Sequence, residues 1–224
     1  AGIGIHVSTG HYNIAVRNNK VYNNKRQGIA AHEIWDSIYE GNVVYENGEG
    51  PDSEDEGIII WRSKNLVING NLIYDNAGSG LRLWGDLSNT GSSPVIANNV
   101  VRNNQGGGLL ISTDVINGKV YNNTIASNQG QGMSITTSGH DIKNNILYQN
   151  SFQLSPGTSN IYDYNLYFPD VSFTDKGLHD ITGDPQFVNT GLYDYHLQNS
   201  SPSIDKGIGL AEVSIDIEGN GRPQ

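Results

Sequence analysis

The sequence predicts an all-β fold, a single-stranded parallel β-helix of about seven coils with a C-terminal tail packed on it. The first observation is a repeated pair of asparagines five positions apart. The pairs are Asn19/Asn24, Asn42/Asn47, Asn71/Asn76, Asn99/Asn104, Asn123/Asn128 and Asn145/Asn150, and a degenerate seventh copy joins Asn165 to Asp170. Successive copies are 20 to 29 residues apart, which is the length of one supersecondary unit in a solenoid.

The second observation is a set of short apolar runs in phase with the asparagines. Each pair encloses one run, and a turn then leads to a second run that usually opens with glycine. The second runs are GIGIH, GIAAH, GIIIW, GLRLW, GLLIS and GMSIT. The third observation is that these runs are rich in β-branched and aromatic residues and show no helical period. Coils of this length hold about three strands of 3 to 5 residues plus turns.

The regular asparagines have an architectural explanation. Asparagine tolerates left-handed backbone conformations, and its side-chain amide can donate to one coil and accept from another. We therefore expect aligned asparagines to form a ladder that sets the register of the coils. At about 4.8 Å per coil, seven coils make a rod on the order of 30 Å long.

Composition restricts the classes of function. The repeat predicts one domain, with coils over residues 1–170 and a closing segment of the same domain over 171–224. The chain has no cysteine, so it has neither disulfides nor thiolate chemistry. Its formal net charge of −10 argues against a nucleic-acid partner. No apolar stretch is long enough to span a membrane. The first residues show no signal peptide and already fit the repeat, so we expect the chain to begin inside a coil.

The position of each residue within its coil predicts which way its side chain faces. Counting starts at the glycine that opens the second run, which is Gly2, Gly28, Gly57, Gly80, Gly108 or Gly132. The first and third residues after it are apolar and should point into the core. The second and fourth residues then point outward. The fourth positions hold His6, His32, Trp61, Trp84, Ser112 and Thr136.

Two imidazoles and two indoles are therefore predicted to form one column on the outer surface. Exposed indoles are unusual in soluble proteins and often mark a binding surface. Flat aromatic faces suit the C–H faces of sugar rings, and a straight column suits a linear polymer. We predict that His6, Trp61, Trp84 and the nearby Asp86 bind a polysaccharide. The alternative is that neighbouring loops cover the indoles as a satellite core.

The longest turn, over residues 48–56, is strongly acidic. It contains Asp52, Glu54, Asp55 and Glu56, and oxygen ligands at this density indicate Ca²⁺. The spacing does not match an EF-hand loop. A solvated acidic loop is the alternative to a calcium site.

The strongest cluster of chemically active side chains is His32, Glu33, Arg62 and Arg82. A lyase acting on uronates needs a cation for the carboxylate, a base for the C5 proton and an acid for the leaving oxygen. We predict that His32 is the base or the acid and that Arg62 or Arg82 neutralises the carboxylate. A glycosidase would instead need two carboxylates facing one bond. The alternative is that His32 and Glu33 only pair on the surface.

The asparagine coils with their glycine-apolar openings resemble the right-handed parallel β-helix repeats of secreted bacterial carbohydrate-active proteins. That superfamily includes pectate, alginate and chondroitinase-like lyases and mannuronan C5-epimerases. The resemblance covers roughly residues 2–170 and implies a right-handed helix. The segment 183–224, with its DPQF, YHL, SPSID and DIEGNGRP motifs, resembles the closing segment common in such proteins. Both resemblances imply a secreted or cell-surface location.

One motif allows a residue-by-residue comparison with the epimerases, which carry Asp-Pro-His-Glu on the corresponding strand. Here the sequence is AAHE over 30–33, so His32 and Glu33 match while Ala30 and Ala31 depart from the motif. The acidic residue of that motif is missing, which argues against epimerase activity.

These observations lead to a secreted, polysaccharide-active protein with lyase-type β-elimination of an acidic polysaccharide as the predicted reaction. The rival hypothesis is a non-catalytic carbohydrate-binding or surface-adhesion module, which Ala30 favours. A third hypothesis, a phage-type fibre, predicts a trimer, whereas the first two predict a monomer.

Overall fold

The computed structural model describes residues 2–49, 54–85 and 92–222. Within these ranges the chain winds into a parallel β-helix with three long sheets, and every neighbouring pair of strands in those sheets is parallel. The predicted fold class is confirmed. The single helical element of the described residues is a short 3₁₀ turn, Thr190–Leu192, and no described helix is long and apolar enough to cross a membrane.

Each sheet takes one strand from each successive coil. Sheet 1 contains Ile5–Val7, Ile29–His32, Ile58–Trp61, Leu81–Trp84, Leu109–Ser112, Gln131–Ile135 and Phe152–Ser155. Sheet 2 contains Ala15–Arg17, Ile38–Glu40, Val67–Asn69, Val95–Ala97, Lys119–Tyr121, Asp141–Lys143 and Ile161–Asp163. Sheet 3 contains Lys20–Tyr22, Val43–Tyr45, Leu72–Tyr74, Val100–Arg102, Thr124–Ala126, Ile146–Tyr148, Leu166–Phe168 and Ile181–Thr182. A two-stranded corner sheet pairs His11–Tyr12 with Ile34–Trp35.

The first member of each asparagine pair lies at the corner between sheets 2 and 3 and forms a continuous hydrogen-bonded ladder. Asn42 is typical: its Nδ2 donates to Asn71 Oδ1 at 2.9 Å and to the Val16 carbonyl at 2.9 Å. Its backbone N–H also donates to Asn71 Oδ1, at 3.0 Å. The same pattern repeats from Asn19 to Asn165. This asparagine ladder confirms the architectural role predicted for the repeat.

The ladder ends on a carboxylate that the sequence pattern did not indicate. Asp180 Oδ1 accepts from the backbone N–H of Asn165 at 2.7 Å, and its Oδ2 accepts from Gly177 N–H at 2.9 Å. Burial raises the pKa of Asp180, and these donors oppose that rise. Asp170, the second member of the degenerate seventh pair, bonds to Lys176 and Thr182 and is not a rung of the second ladder.

The second member of each pair forms a parallel ladder at the corner between sheets 3 and 1. It runs from Asn24 to Asn150, and Asn150 Nδ2 then donates to Gln153 Oε1 at 2.9 Å. The left-handed backbone at these corners falls on the residue before each rung, not on the rung itself. Asn18 and Asn23, with φ of 54° and 53°, precede Asn19 and Asn24. The tolerance of asparagine for left-handed backbones thus applies to residues such as Asn18 and Asn23 and not to the ladder asparagines themselves.

The glycines that open the strands of sheet 1 are explained by a close approach to the second ladder. A Cβ on Gly57 would lie 2.6 Å from Ile73 Cγ2, 2.7 Å from Asn76 Nδ2 and 2.8 Å from the Gly80 carbonyl. No side chain fits at these distances without moving the ladder. The asparagine and glycine signals are in phase because they meet at one corner of the coil.

The core is a single apolar stack that fills the space between the three sheets. The first and third residues after each opening glycine lie in it from the second coil to the sixth, as predicted. They are Ile29/Ala31, Ile58/Ile60, Leu81/Leu83, Leu109/Ile111 and Met133/Ile135. Their alternation with outward-facing residues follows from the period of two in a strand.

The C-terminal tail packs along the outside of the rod. An antiparallel pair, Phe187–Asn189 with Asp194–Leu197, places Phe187 against Tyr148 on sheet 3. The guanidinium carbon of Arg102 lies 4.1 Å from the Tyr74 ring centre and 3.6 Å from that of Tyr193, so this side chain joins rod and tail. The tail of the predicted fold class is thus present.

We expect Asn71→Ala to lower the free energy of unfolding by about 2–3 kcal/mol, because it leaves buried donors and acceptors unpaired. Asn71 is fully buried and bonds to Asn42, Asn99 and Tyr39. Asn69→Ala is the matched control, since Asn69 is half-exposed two residues earlier; it should cost about 0.5–1 kcal/mol. Urea denaturation measures the free energy of unfolding of both variants. Equal losses in the two variants would contradict the stabilising role of the ladder.

His140 is a buried histidine whose environment predicts a pH effect. Its Nδ1 accepts from the Gly118 N–H at 3.0 Å, and its Nε2 lies 3.1 Å from the Val115 carbonyl. This arrangement fits the neutral ring, with the proton on Nε2. Burial is the largest effect and lowers the pKa of His140 to about 4.

We expect the protein to lose stability on acidification through His140. In the unfolded chain the pKa of His140 is about 6.5, whereas in the native protein it is about 4. Between these pH values the unfolded chain binds a proton that the native protein does not bind, so the free energy of unfolding falls as the pH is lowered from 6.5 to 4. The loss is on the order of 3 kcal/mol. Denaturation curves measured across this pH range give the change of the free energy of unfolding with pH. For His140→Gln this slope should be smaller by up to one proton. Identical slopes would contradict the assignment.

Candidate functional site

A shallow cleft opens on the outer side of sheet 1 near the start of the rod. Its volume is about 420 Å³, and it is lined by His6, Ser8, Thr9, His32, Glu54 and Trp61. The lining residues come from three successive coils, since the strands that carry or precede them pair side by side. Three of the predicted site residues, His6, His32 and Trp61, are therefore brought together with Glu54 from the acidic loop.

An aromatic column extends from this cleft along the rod. His32, Trp61 and Trp84 are direct partners in adjacent parallel strands. The His32 ring meets the Trp61 ring edge-on, with 6.3 Å between ring centres. Trp84 is 42% exposed, and neither indole belongs to the apolar core. Both rings are therefore positioned on the surface, where a ligand lying along the rod axis would contact them.

The register predicted for the first coil is wrong, and His6 is not in this column. Ile5 pairs with Ile29 and His6 with Ala30, so Gly4, not Gly2, is the counterpart of Gly28. The sequence GIGI offers two openings two residues apart, and a shift of two keeps every side chain on its predicted face. Packing selects Gly4, because a Cβ there would lie 2.6 Å from Asn24 Nδ2, whereas one on Gly2 would meet only the Arg26 side chain.

The corrected register identifies cleft residues that the sequence analysis missed. Ser8 stands level with His32, and Thr9 follows it. The duplicated glycine-isoleucine step was the signal that could have revealed them. The second residue after the opening glycine is predicted to face solvent, but in two coils it is buried: Ala30 and Ile59 are 0% and 1% exposed.

Glu33 and Arg62 lie at the corner that follows sheet 1, and both have left-handed backbones, with φ of 51° and 49°. Arg62 Nη1 is 3.7 Å from Glu33 Oε1, and His32 Nε2 is 4.0 Å from the same oxygen. The Glu33 carboxylate thus sits between an imidazole and a guanidinium. The Arg62 side chain is 54% exposed, which leaves N–H donors for an anionic ligand.

Arg82 has a different environment from the other predicted catalytic residues. Its Nη1 donates to Glu56 Oε1 at 3.1 Å, and its guanidinium carbon lies 5.5 Å from the Trp84 ring centre. Glu56 is almost fully buried; burial raises its pKa, and the hydrogen bond and charge of Arg82 oppose the rise. Arg82 therefore supports Trp84 from the side and does not line the cleft.

The predicted calcium ligands do not converge in the described part of the acidic loop. Glu54 forms an ion pair with Arg26, Glu56 pairs with Arg82, and Asp55 is buried. Within residues 2–49, 54–85 and 92–222, no group of three or more His, Asp or Glu side chains is placed to hold a metal ion. Asp52, and likewise the predicted sugar-binding residue Asp86, lies outside these ranges. Calcium stays a prediction.

A second aromatic pair lies across the corner from the cleft. The rings of Tyr12 and Trp35 are stacked, with 4.8 Å between centres and 25° between planes. Tyr12 is 60% exposed. Trp35 belongs to the corner sheet, opposite Tyr12.

Comparison with solved structures shows similarity to the same architecture. A mutant of the periplasmic alginate epimerase AlgG has a TM-score of 0.58 and 17% identity, over 88% of this chain and 39% of that chain. AlgG itself has a TM-score of 0.53, 17% identity and the same coverage. The A-module of the Azotobacter vinelandii mannuronan C-5 epimerase AlgE6 has a TM-score of 0.48 and 15% identity, over 82% and 57%. This chain thus spans 39% of the AlgG chain.

At these identities the likeness shows a shared fold. No match was found among curated proteins. The sequence profile described as "Right handed beta helix region" matches residues 1–152, which is more than half of the chain. The profile, the parallel sheets and the asparagine ladders agree, and the chain belongs to the right-handed beta helix family.

Proposed function

We propose that this protein binds an acidic polysaccharide along sheet 1 and cleaves it by β-elimination. The observation that carries the proposal is the alignment of His32, Trp61 and Trp84 in one column that starts in the cleft. A linear glycan lying along the rod axis would meet one of these rings in each coil.

The charges beside the column favour a uronate as the sugar. Arg62 is half-exposed at the corner next to His32, and its Nη1 lies 3.7 Å from Glu33 Oε1. An arginine fork suits a carboxylate, and neutralising that carboxylate makes the neighbouring C–H proton more acidic. His32 is then the group within reach to exchange that proton.

The similarity to AlgG, which is named as an alginate epimerase, supports a polysaccharide ligand. The epimerase motif has an acidic residue where this chain has Ala30, and its absence favours elimination over epimerisation. We also propose that the protein is secreted or displayed at the cell surface, where such polymers are found, and that it acts as a monomer.

A non-catalytic carbohydrate-binding or adhesion module is the second candidate. Ala30 is fully buried and carries no carboxylate where the epimerase motif has one. This candidate uses the same indoles and predicts binding without turnover.

We expect Trp61→Ala and Trp84→Ala each to weaken binding of an acidic glycan by about fivefold, because each removes one stacking surface worth on the order of 1 kcal/mol. Phe152→Ala is the matched control, since Phe152 is 56% exposed on the same sheet at the far end of the rod. Calorimetric titration measures the affinity and a thermal melt checks the fold. Collapse of the melting temperature in the tryptophan variants would show that the indoles are core.

We expect one polymer from a panel of pectate, alginate and chondroitin to yield an unsaturated uronate, detected by its ultraviolet absorbance. The panel is run with and without calcium, so the calcium hypothesis is tested in the same assay. His32→Gln should remove the signal. A flat trace with every polymer, together with Trp61-dependent binding, would favour the non-catalytic module.

A further inference from the structure

Two histidines lie diagonally to each other on the outer face of sheet 1. His6 is the partner of Ala30, two residues before His32 on the adjacent strand. Both are outward positions, and both side chains line the cleft together with Trp61. A strand spacing of about 4.8 Å and a rise of about 3.3 Å per residue place their Cα atoms roughly 8 Å apart. This separation is comparable with the size of one sugar unit, so both imidazoles could contact the same glycosidic linkage.

The two imidazoles have different surroundings. His32 Nε2 is 4.0 Å from Glu33 Oε1. Arg62 shares the same carboxylate from the next coil. His6 is exposed, and the cleft's other carboxylate, Glu54, is already paired with Arg26. Arg62, which would hold the uronate carboxylate, shares Glu33 with His32, so the C5 proton next to that carboxylate would lie nearest His32, and His6 is left for the leaving oxygen.

His6 covers a position on the strand of His32 that has no reactive side chain of its own. That position is Ala30, which is fully buried. Because His6 lies beside Ala30 on the preceding coil, the neighbouring coil supplies a titratable group to the same cleft. The register of the first coil sets the diagonal offset between the two histidines.

Resting on the proposed function, we propose that His32 is the base and His6 the acid of a β-elimination on a uronate. His32 takes the C5 proton, and the C5–H electron pair becomes the C4–C5 double bond. The C4–O bond breaks, and the imidazolium of His6 gives its proton to the leaving oxygen. Arg62 holds the carboxylate during the reaction. Proton exchange with water returns both rings to their starting states.

Two rates are measured in deuterium oxide, with the polymer from the panel that the parent protein cleaves as the substrate. The first is elimination, followed by ultraviolet absorbance, and the second is exchange of the C5 hydrogen for deuterium, followed by NMR. His32→Gln should lose both rates by about 10²- to 10⁴-fold, whereas His6→Gln should lose elimination to the same extent and keep exchange. Affinity for the polymer should change less than about threefold in either variant.

His11→Gln is the matched control, because His11 is an exposed histidine of the same coil that does not line the cleft. It should keep both rates, and thermal melts of all three variants should match the parent. Elimination by His6→Gln at the parental rate would overturn the pair while leaving the lyase proposal intact. Loss of exchange in His6→Gln would also overturn the assigned roles. A parent protein that binds the polymer through Trp61 but neither eliminates nor exchanges would overturn both the pair and the lyase proposal.

Discussion

The structure depends on the hydrogen bonding of buried asparagine side chains between coils. A buried amide must satisfy two donors and an acceptor, and here each does so through the coil on either side. One coil alone would leave these groups unpaired, so the coils are stable only as a stack. The ladders therefore set the register of all three sheets at once. Asp180 and Gln153 show how the ladders end, with side chains that accept without continuing the repeat.

The ladders also determine the shape of each corner. A left-handed residue precedes each rung, and a glycine opens the following strand because the second ladder passes too close for a Cβ. With the corners set in this way, outward side chains on sheet 1 repeat in straight columns. The aromatic column of His32, Trp61 and Trp84 is a direct result, and its spacing belongs to the architecture and not to the ligand.

Architecture and chemistry are thus separated in this chain. The most regular polar residues, the ladder asparagines, are buried and engaged with each other. The residues suited to chemistry are irregular, half-exposed and confined to the first coils, where Glu33 and Arg62 occupy strained corner positions. The tail covers parts of sheets 2 and 3, through Val213 and Phe187, and the outer side of sheet 1 keeps its cleft.

The sequence by itself determined the repeat, the parallel sheets, the inward positions and the outward column of His32, Trp61 and Trp84, because strand period and ladder spacing are local and regular. Tertiary structure alone decided the register of the first coil, the terminal rung at Asp180, and the partners of Arg82 and Glu54. Each of those depends on contacts between residues from different coils or turns. GIGI is compatible with two registers, and only the close approach of Gly4 to Asn24 and Gly28 selects one. That selection places His6 beside Ala30, so the two histidines of the cleft lie diagonally and not directly side by side.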